Sequence, residues 1–286
     1  MSAMTTTELD TVPALLPLYA KAVAGARSHR GGSLPDSHYT LAPQCIDPDH
    51  LADYRRVCGL EAADALPPAY LHVLAFPVSL ALMNEPRFPL PAIGLVHVAN
   101  SITVVRPVHA DEAVGFDLRV ADLRPHAAGQ QFDVLVEASV DGVPVWTERC
   151  TYLRREAAAK RPPRGPSETG GDPPGALAHV RVPGDIGRRY GAVSGDRNPI
   201  HMLALAARLF GFRTVIAHGM WVAARTLATL EGRLPDGYTV DITFKTPVFV
   251  PSTVAIRSAR SDAGWELDVR DAARGRPHLS GTVTFR

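Results

Sequence analysis

At 286 residues, 46% hydrophobic and 21% charged, the chain has the composition of a globular protein and the length of two domains, each able to bury its own core. A formal net charge of +1 with scattered arginines offers no basic stripe to nucleic acid, and no apolar run approaches the roughly 20 residues of a membrane helix. Neither nucleic acid nor membrane is expected as a partner. In chain order, Glu8 and Asp10 stand where a secretion signal would need positive charge, and Pro13 and Pro17 interrupt the short apolar stretch, so a cytoplasmic location is expected. Cys45, Cys58 and Cys150 are too few and too widely spaced for a disulfide framework or a zinc site.

The clustered Pro and Gly of RREAAAKRPPRGPSETGGDPPGALA predict a linker over 154–178, between an N-terminal module over 1–153 and a C-terminal module over 179–286. The two modules rhyme. Tyr54-x-x-x-Cys58-Gly59 matches Tyr190-x-x-x-Ser194-Gly195, Val73-Leu74-Ala75 matches Val215-Ile216-Ala217, and Ile102 to Val108 matches Ile242 to Val248. Three correspondences in one order point to a duplicated unit. Near the C-terminus, Trp265, Leu267 and Val269 alternate with Glu266, Asp268 and Arg270, the period of a strand with one buried face, and Thr253 to Arg260 and Leu279 to Phe285 read similarly. A helix is predicted from Pro199, with Met202, Leu205, Ala206 and Leu209 on its buried face and Gly211 as its stop. A second, Met220 to Leu230, is apolar nearly all round and should be buried. Each module thus reads as an α+β unit of antiparallel strands around a buried helix.

The densest chemistry lies in YGAVSGDRNPIH, Tyr190 to His201. Asn198 as a helix N-cap, Pro199 at the first helical position and Ser194-Gly195 as a turn need no function to explain them. Asp196 and His201 ask for more. A histidine in the first helical turn is kept neutral by the positive dipole end, so it can accept a proton, and a carboxylate just before the cap can share its space as an acid-base partner. Farther on, in AHGMW, Gly219 opens the buried helix, where an unpaired backbone N–H and a missing side chain suit a substrate oxygen. His218 beside it reads as a packed core histidine. A metal held by Asp196, His201 and His218 is disfavoured, because no HxH, HExxH or Cys-rich spacing accompanies them.

Tyr190 followed by Ser194-Gly195-Asp196-x-Asn198-Pro199-Ile200-His201, with Ala217-His218-Gly219-Met220 behind it, resembles the MaoC-like, hydratase-2 family of (R)-specific enoyl-thioester hydratases and dehydratases. The two-module arrangement resembles the 3-hydroxyacyl-thioester dehydratases of GC-rich bacteria. The resemblance implies a double hot-dog fold, in which each module wraps a long helix in an antiparallel sheet. It implies Asp196 and His201 as the catalytic pair, the Gly219 N–H as oxyanion donor, and Tyr190, Ser194, Asn198 and His218 around the substrate. The implied substrate is an acyl-CoA or an acyl carrier protein thioester, and no metal, nucleotide or redox cofactor is required.

The first module departs from that signature. Leu60 takes the place of Asp196, Ala65 the place of His201, and Phe76-Pro77 the place of His218-Gly219, where proline has no N–H to offer. Its expected task is to complete the sheet as the other half of a pseudo-dimer within one chain, cover the active site and help bind the acyl chain, with Leu60 and Phe76 suiting an apolar tunnel; a purely structural partner is the alternative. Dimerisation of whole chains through sheet edges stays open. The alternatives are a thioesterase on the same scaffold and a non-catalytic acyl-thioester binding subunit.

Overall fold

The computed structural model describes residues 5–25, 31–155 and 175–286. In the first half, β1 (Thr5–Leu9), α1 (Leu15–Gly25) and β2 (Ser37–Gln44) lead into α2 (Pro48–Cys58) and α3 (Pro68–Met83). Four strands follow, β3 (Leu95–Val104), β4 (Val114–His126), β5 (Gly129–Val140) and β6 (Val143–Arg155). The second half runs β7 (Ala176–Val182), α4 (Ile186–Ser194), the short α5 (Pro199–Met202) and α6 (Ala204–Leu209), and α7 (Gly219–Leu227). It ends with β8 (Tyr238–Phe244), β9 (Ser252–Ser261), β10 (Gly264–Asp271) and β11 (Pro277–Phe285). The three strands read near the C-terminus all form, and the alternation of β10 buries Leu267 and Val269 as expected. Most of the predicted linker lies outside the described residues; its two ends do not behave as linker, because Arg154 and Arg155 complete β6 while 176–178 begin β7.

The strands form one 11-stranded sheet in the order β1-β2-β4-β5-β6-β3-β8-β11-β10-β9-β7. From β3 outward the first half reads β6-β5-β4-β2, and from β8 outward the second reads β11-β10-β9-β7, so the two halves share one topology. They join where β3 and β8 pair antiparallel, with Ser101 opposite Asp241 and a hydrogen bond of 2.6 Å between their side chains. Each half wraps a helix with few exposed positions: α3 is apolar except for His72 and the hydroxyls of Tyr70 and Ser79, and α7 leaves only Arg225 as a charge among buried Met220, Trp221, Val222, Ala223 and Leu227. An α-helix without a polar face is stable only when covered all round. The arrangement is the expected α+β double hot dog. Cross-contacts tie the halves together, since Trp221 Nε1 donates to Val57 O at 3.0 Å and Arg225 Nη1 to the carbonyls of Cys58 and Gly59.

Two of the three sequence correspondences hold in space. Gly59 and Gly195 each end a helix in the left-handed region, at φ 59° and 73°, and Tyr54 and Tyr190 face each other at 6.4 Å between ring centroids. The third does not hold. Val73 to Ala75 lie inside α3, whereas Val215 to Ala217 precede α7. The true counterparts follow from hydrogen bonds: Leu66 N–H donates to Val108 O and Ala217 N–H to Val248 O, while Ala65 bridges His109 as Ile216 bridges Phe249. Ala65 therefore stands for Ile216, and Pro67-Pro68, rather than Phe76-Pro77, for His218-Gly219. The backbone agrees, with Pro67 at φ −59°, ψ 136° and His218 at φ −64°, ψ 137°. The identity of the missing donor changes, but a proline still stands where the helix would offer its N–H.

The helix predicted from Pro199 also differs. Leu203 is extended at φ −134°, ψ 127° and splits it into α5 and α6. The break rotates the later residues, so Leu205 and Leu209 are exposed at 72% and 80% while Ile200 and Ala207 are buried.

Candidate active site

The site is assembled on the loop that leaves α4. At Gly195 a side chain would meet both the left-handed backbone and Leu15, whose Cδ1 would lie 2.6 Å from a Cβ, so glycine is required there. Buried Ser194 accepts the Asp196 N–H at 3.1 Å through Oγ, and Asp196 Oδ1 accepts the Asn198 N–H at 3.0 Å. From α1, Tyr19 Oη accepts the Arg197 N–H at 2.6 Å and donates to Gly195 O at 2.9 Å. The carboxylate is thus fixed by a short turn clamped from the first half of the chain. Asn198 does not cap its helix as expected. Its Nδ2 instead donates to Leu95 O at 3.3 Å, and Oδ1 is buried without a partner.

His201 is 8% exposed, and its Nδ1 lies 2.9 Å from Ile216 O. A carbonyl can only accept, so Nδ1 carries the proton and Nε2 is the basic nitrogen. His218, 3% exposed, likewise donates from Nε2 to the backbone oxygen of Asp196 at 2.8 Å, with the carboxylate Oδ2 3.7 Å away. It is a hydrogen-bonded core histidine, as expected. The two imidazoles stack at 3.7 Å between centroids.

Burial pushes the His201 imidazolium pKa down, and Asp196 and Ile216 O restore only part of the shift. Burial rather than the dipole of the four-residue α5 is the main cause, which corrects the sequence expectation. His218 is pushed down to about 3 by burial and by His201. Burial would raise the Asp196 carboxyl, but His218, His201 and the Asn198 N–H together hold it below the usual carboxylate range. At neutral pH the site therefore holds a carboxylate beside a neutral imidazole with a free nitrogen.

Asp196, His201, His218 and Gly219 open on one cavity of about 1670 Å³. Gly219 begins α7, where the first N–H groups have no helical acceptor. A Cβ there would press on the Phe244 ring at 3.0 to 3.2 Å, so the missing side chain leaves room for a ligand atom. Tyr190, Ser194, Asn198 and Phe76 line the same cavity, whereas Leu60 does not. Only a few residues connect Gly59 to Ala65, so this strand of chain cannot make the excursion that carries Asp196 inward; the neighbouring Glu61 N–H bonds the Glu231 carboxylate instead. Single ligand atoms of Asp196, His201 and His218 lie within 4.8 Å of one another, but stacked imidazoles aim their in-plane lone pairs along parallel planes, a poor arrangement for one ion.

The sequence reading missed Tyr19, His72, His97 and Glu148. His72, His97 and Tyr19 line the cavity, and Glu148 lies behind His72. One signal was present. In β6 the inward parity Trp146, Glu148, Cys150, Tyr152 places a carboxylate among buried positions.

The profile of the MaoC like domain matches residues 168–275, the part that carries Asp196, His201 and Gly219. Over its whole length the chain is similar to the 3-hydroxyacyl-thioester dehydratase X of Mycobacterium tuberculosis, at 39% identity over 96% of this chain and 99% of the relative. The chain belongs to the MaoC-like dehydratase family. The crystal structure of HtdX of Mycobacterium tuberculosis superposes with a TM-score of 0.79 at 38% identity, covering 87% of this chain and 100% of that one. A MaoC-like dehydratase from Phytophthora capsici, 16% identical with a TM-score of 0.69 over 87% of this chain and 94% of its own, shares the fold. The MaoC-like profile falls on the second half, so the first half matches through the full-length relatives.

Proposed function

We propose that the chain interconverts (3R)-3-hydroxyacyl thioesters and trans-2-enoyl thioesters by elimination or addition of water. The observation that carries this reading is the Asp196–His201 pair opening on the same cavity as the unpaired N–H of Gly219. A thioester oxygen seated at the start of α7 receives that N–H, which stabilises the enolate-like charge that develops as Cα loses its proton. His201 Nε2, the free basic nitrogen, and the Asp196 carboxylate are the groups that can take this proton and deliver it to the departing β-hydroxyl. The C–O bond breaks, the Cα–Cβ double bond forms and water leaves, so the pair ends in the protonation state in which it began. Hydration runs the same steps backwards.

The substrate is an acyl-CoA or an acyl carrier protein thioester. Lys245, Arg274 and Arg276 along the cavity wall suit the phosphates common to both carriers. The half ending at Arg155 supplies sheet, clamp and chain-binding wall, and the half from Ala176 supplies catalysis, so the chain acts as a pseudo-dimer with one active site. Buried free thiols at Cys58 and Cys150 fit a reducing cytoplasm. No described helix is long and apolar enough to cross a membrane.

The test is hydration of trans-2-enoyl-CoA across chain lengths, following the enoyl absorbance and free thiol together and determining the product's configuration. Loss of absorbance without thiol release and a (3R) product are expected. Thiol release without hydration would make the protein a thioesterase, an (S) product would overturn the assigned geometry, and binding without either reaction would make it a binding subunit.

A further inference from the structure

The half that lacks the catalytic pair contains a buried ion pair of its own. His72, on α3, places Nδ1 3.0 Å from Glu148, whose side chain is 1% exposed, and Asn100 Nδ2 donates to Glu148 Oε1 at 2.6 Å and contacts Cys150 Sγ at 3.4 Å. A carboxylate this deeply buried calls for a counter-charge, and although burial alone would lower the His72 pKa, Glu148, with a smaller part from Asp196, turns the net direction upward, so the pair favours the protonated imidazole. The second half has no such cluster. Val105 N–H to Val145 O matches Lys245 N–H to His278 O, which aligns β6 with β11. Through that ladder Gly281, Val283 and Val240 stand for Glu148, Cys150 and Asn100, and counting from Pro68 and Gly219, Ala223 stands for His72. Apolar residues therefore satisfy the fold at these four places. A buried ion pair there is not needed for stability, since well-packed hydrophobic replacements are often as stable or more so.

The cluster faces the substrate cavity. His72, Phe76, Leu80 and Met83 form one stripe of α3 along its wall, and His72 retains 11% side-chain exposure with its recorded partners all at Nδ1. The Nε2–H is left for the cavity. His97, stacked on His72 at 5.9 Å between centroids, adds a buried Nε2 without a partner to the same wall. Rings separate this pair from the oxyanion position: a Cβ on Gly219 would touch Phe244, Phe244 packs on His97 at 5.2 Å, and His97 on His72. The Asp196 carboxylate also acts on both imidazoles, so the polar wall borders the cavity on the side where the acyl chain passes the acid-base pair. A cation is a poor occupant of the cluster itself, because the Asn100 amide N–H groups already point at Glu148 and Cys150.

We infer that His72, backed by Glu148, forms an acceptor-binding subsite in the acyl pocket, and that the preferred substrates carry a hydroxyl or oxo oxygen on the acyl chain beyond the β-carbon. This inference rests on the acyl-thioester reading of the site. The oxygen is uncharged: His72 and Glu148 together are neutral, so a chain-borne carboxylate would be desolvated without a net counter-charge.

The test compares kcat/KM for hydration of trans-2-hexenoyl-CoA, its 5-hydroxy and 5-oxo analogues and a 5-carboxyl analogue, in wild type and in the His72→Leu/Glu148→Leu double variant. Replacing both partners avoids a stranded charge, and thermal unfolding checks that the variant is folded. In wild type the hydroxy or oxo substrate is expected to exceed the plain chain by about 10- to 100-fold, the range of a hydrogen bond to a charged group. In the double variant that ratio falls toward one. Equal wild-type rates on plain and oxygenated chains, preference for the carboxylate, or an unchanged ratio in the folded double variant would each overturn the subsite while leaving the hydratase reading in place. No turnover of any thioester by wild type would instead overturn the hydratase reading, and the subsite with it.

Discussion

His201 and His218 stack face to face at 3.7 Å, each with one nitrogen committed to a backbone carbonyl. Two imidazolium ions cannot share that spacing cheaply, and burial lowers the pKa of each ring further, so both are neutral at working pH. In the proposed mechanism the rate depends on the neutral His201 Nε2, whose pKa lies below the ordinary 6.5. A profile of kcat/KM against pH is expected to be level above 6.5 on its acid side and to decline only below it. A decline centred above pH 7 would mean that His201 is not the base.

The same depressed values link folding to pH. With His201 lowered and His97 and His218 pushed to about 3, the unfolded chain binds protons below pH 6.5 that the folded chain refuses. Their contribution to stability is fully present above 6.5 and is lost as pH falls from there toward 3, by up to about 1.4 kcal/mol per pH unit for each group. Urea midpoints measured from pH 7 to pH 4.5 should fall steadily; a constant midpoint would contradict the buried neutral imidazoles.

Asp196→Asn and His201→Gln keep side-chain size and remove the proton-handling atoms. Each should lower turnover by about 10²–10⁴-fold with the fold intact by circular dichroism, the usual contribution of a positioned acid or base. Near-wild-type turnover in either folded variant would remove that residue from the mechanism.

The first half should not be convertible into a second site by restoring residue types. Leu60→Asp with Pro68→Gly returns a carboxylate and an N–H, but the few residues between Gly59 and Ala65 supply no histidine to pair with them. Introduced into the His201→Gln background, the two changes are expected to add no turnover and to cost stability. A gain in turnover there would show that the N-terminal half is competent for catalysis.

Glu148→Leu alone strands the His72 charge in the interior and should destabilise by about 3–5 kcal/mol, whereas the double variant with His72→Leu should recover most of that loss. The sign with pH is opposite to that of His201. The folded pKa of His72 is raised, so the stability from the pair is fully present below 6.5 and is lost as pH rises through the folded value. Chemical denaturation of wild type and both variants from pH 6 to pH 9 measures it; equal stability of Glu148→Leu and wild type would mean that the pair is not charged.

What the sequence made legible was contiguous. Asp196 and His201 stand out as a candidate pair because they lie five residues apart in one short motif, Gly219 because it opens a helix, and the strands because their alternation is local. Tyr19 and Glu148 were missed because their partners come from distant elements: Tyr19 meets Gly195 across 176 residues and His72 meets Glu148 across 76. The false match of Val73 to Ala75 arose inside α3, where a run of small and branched apolar residues offers identities by chance. The break at Leu203 had no local signature, since no Gly or Pro marks it.

The β3–β8 ladder joins two like halves in one polypeptide, and so a change in one is not copied into the other. Two identical subunits would have to put the same residue at the start of both central helices, serving catalysis or forbidding it twice over. Here Pro68 and Gly219 hold equivalent places with opposite consequences, as do His72 and Ala223. In one polypeptide the two halves can carry different residues at equivalent places, so the wall that the first half presents to the cavity is free to differ from its counterpart in the second.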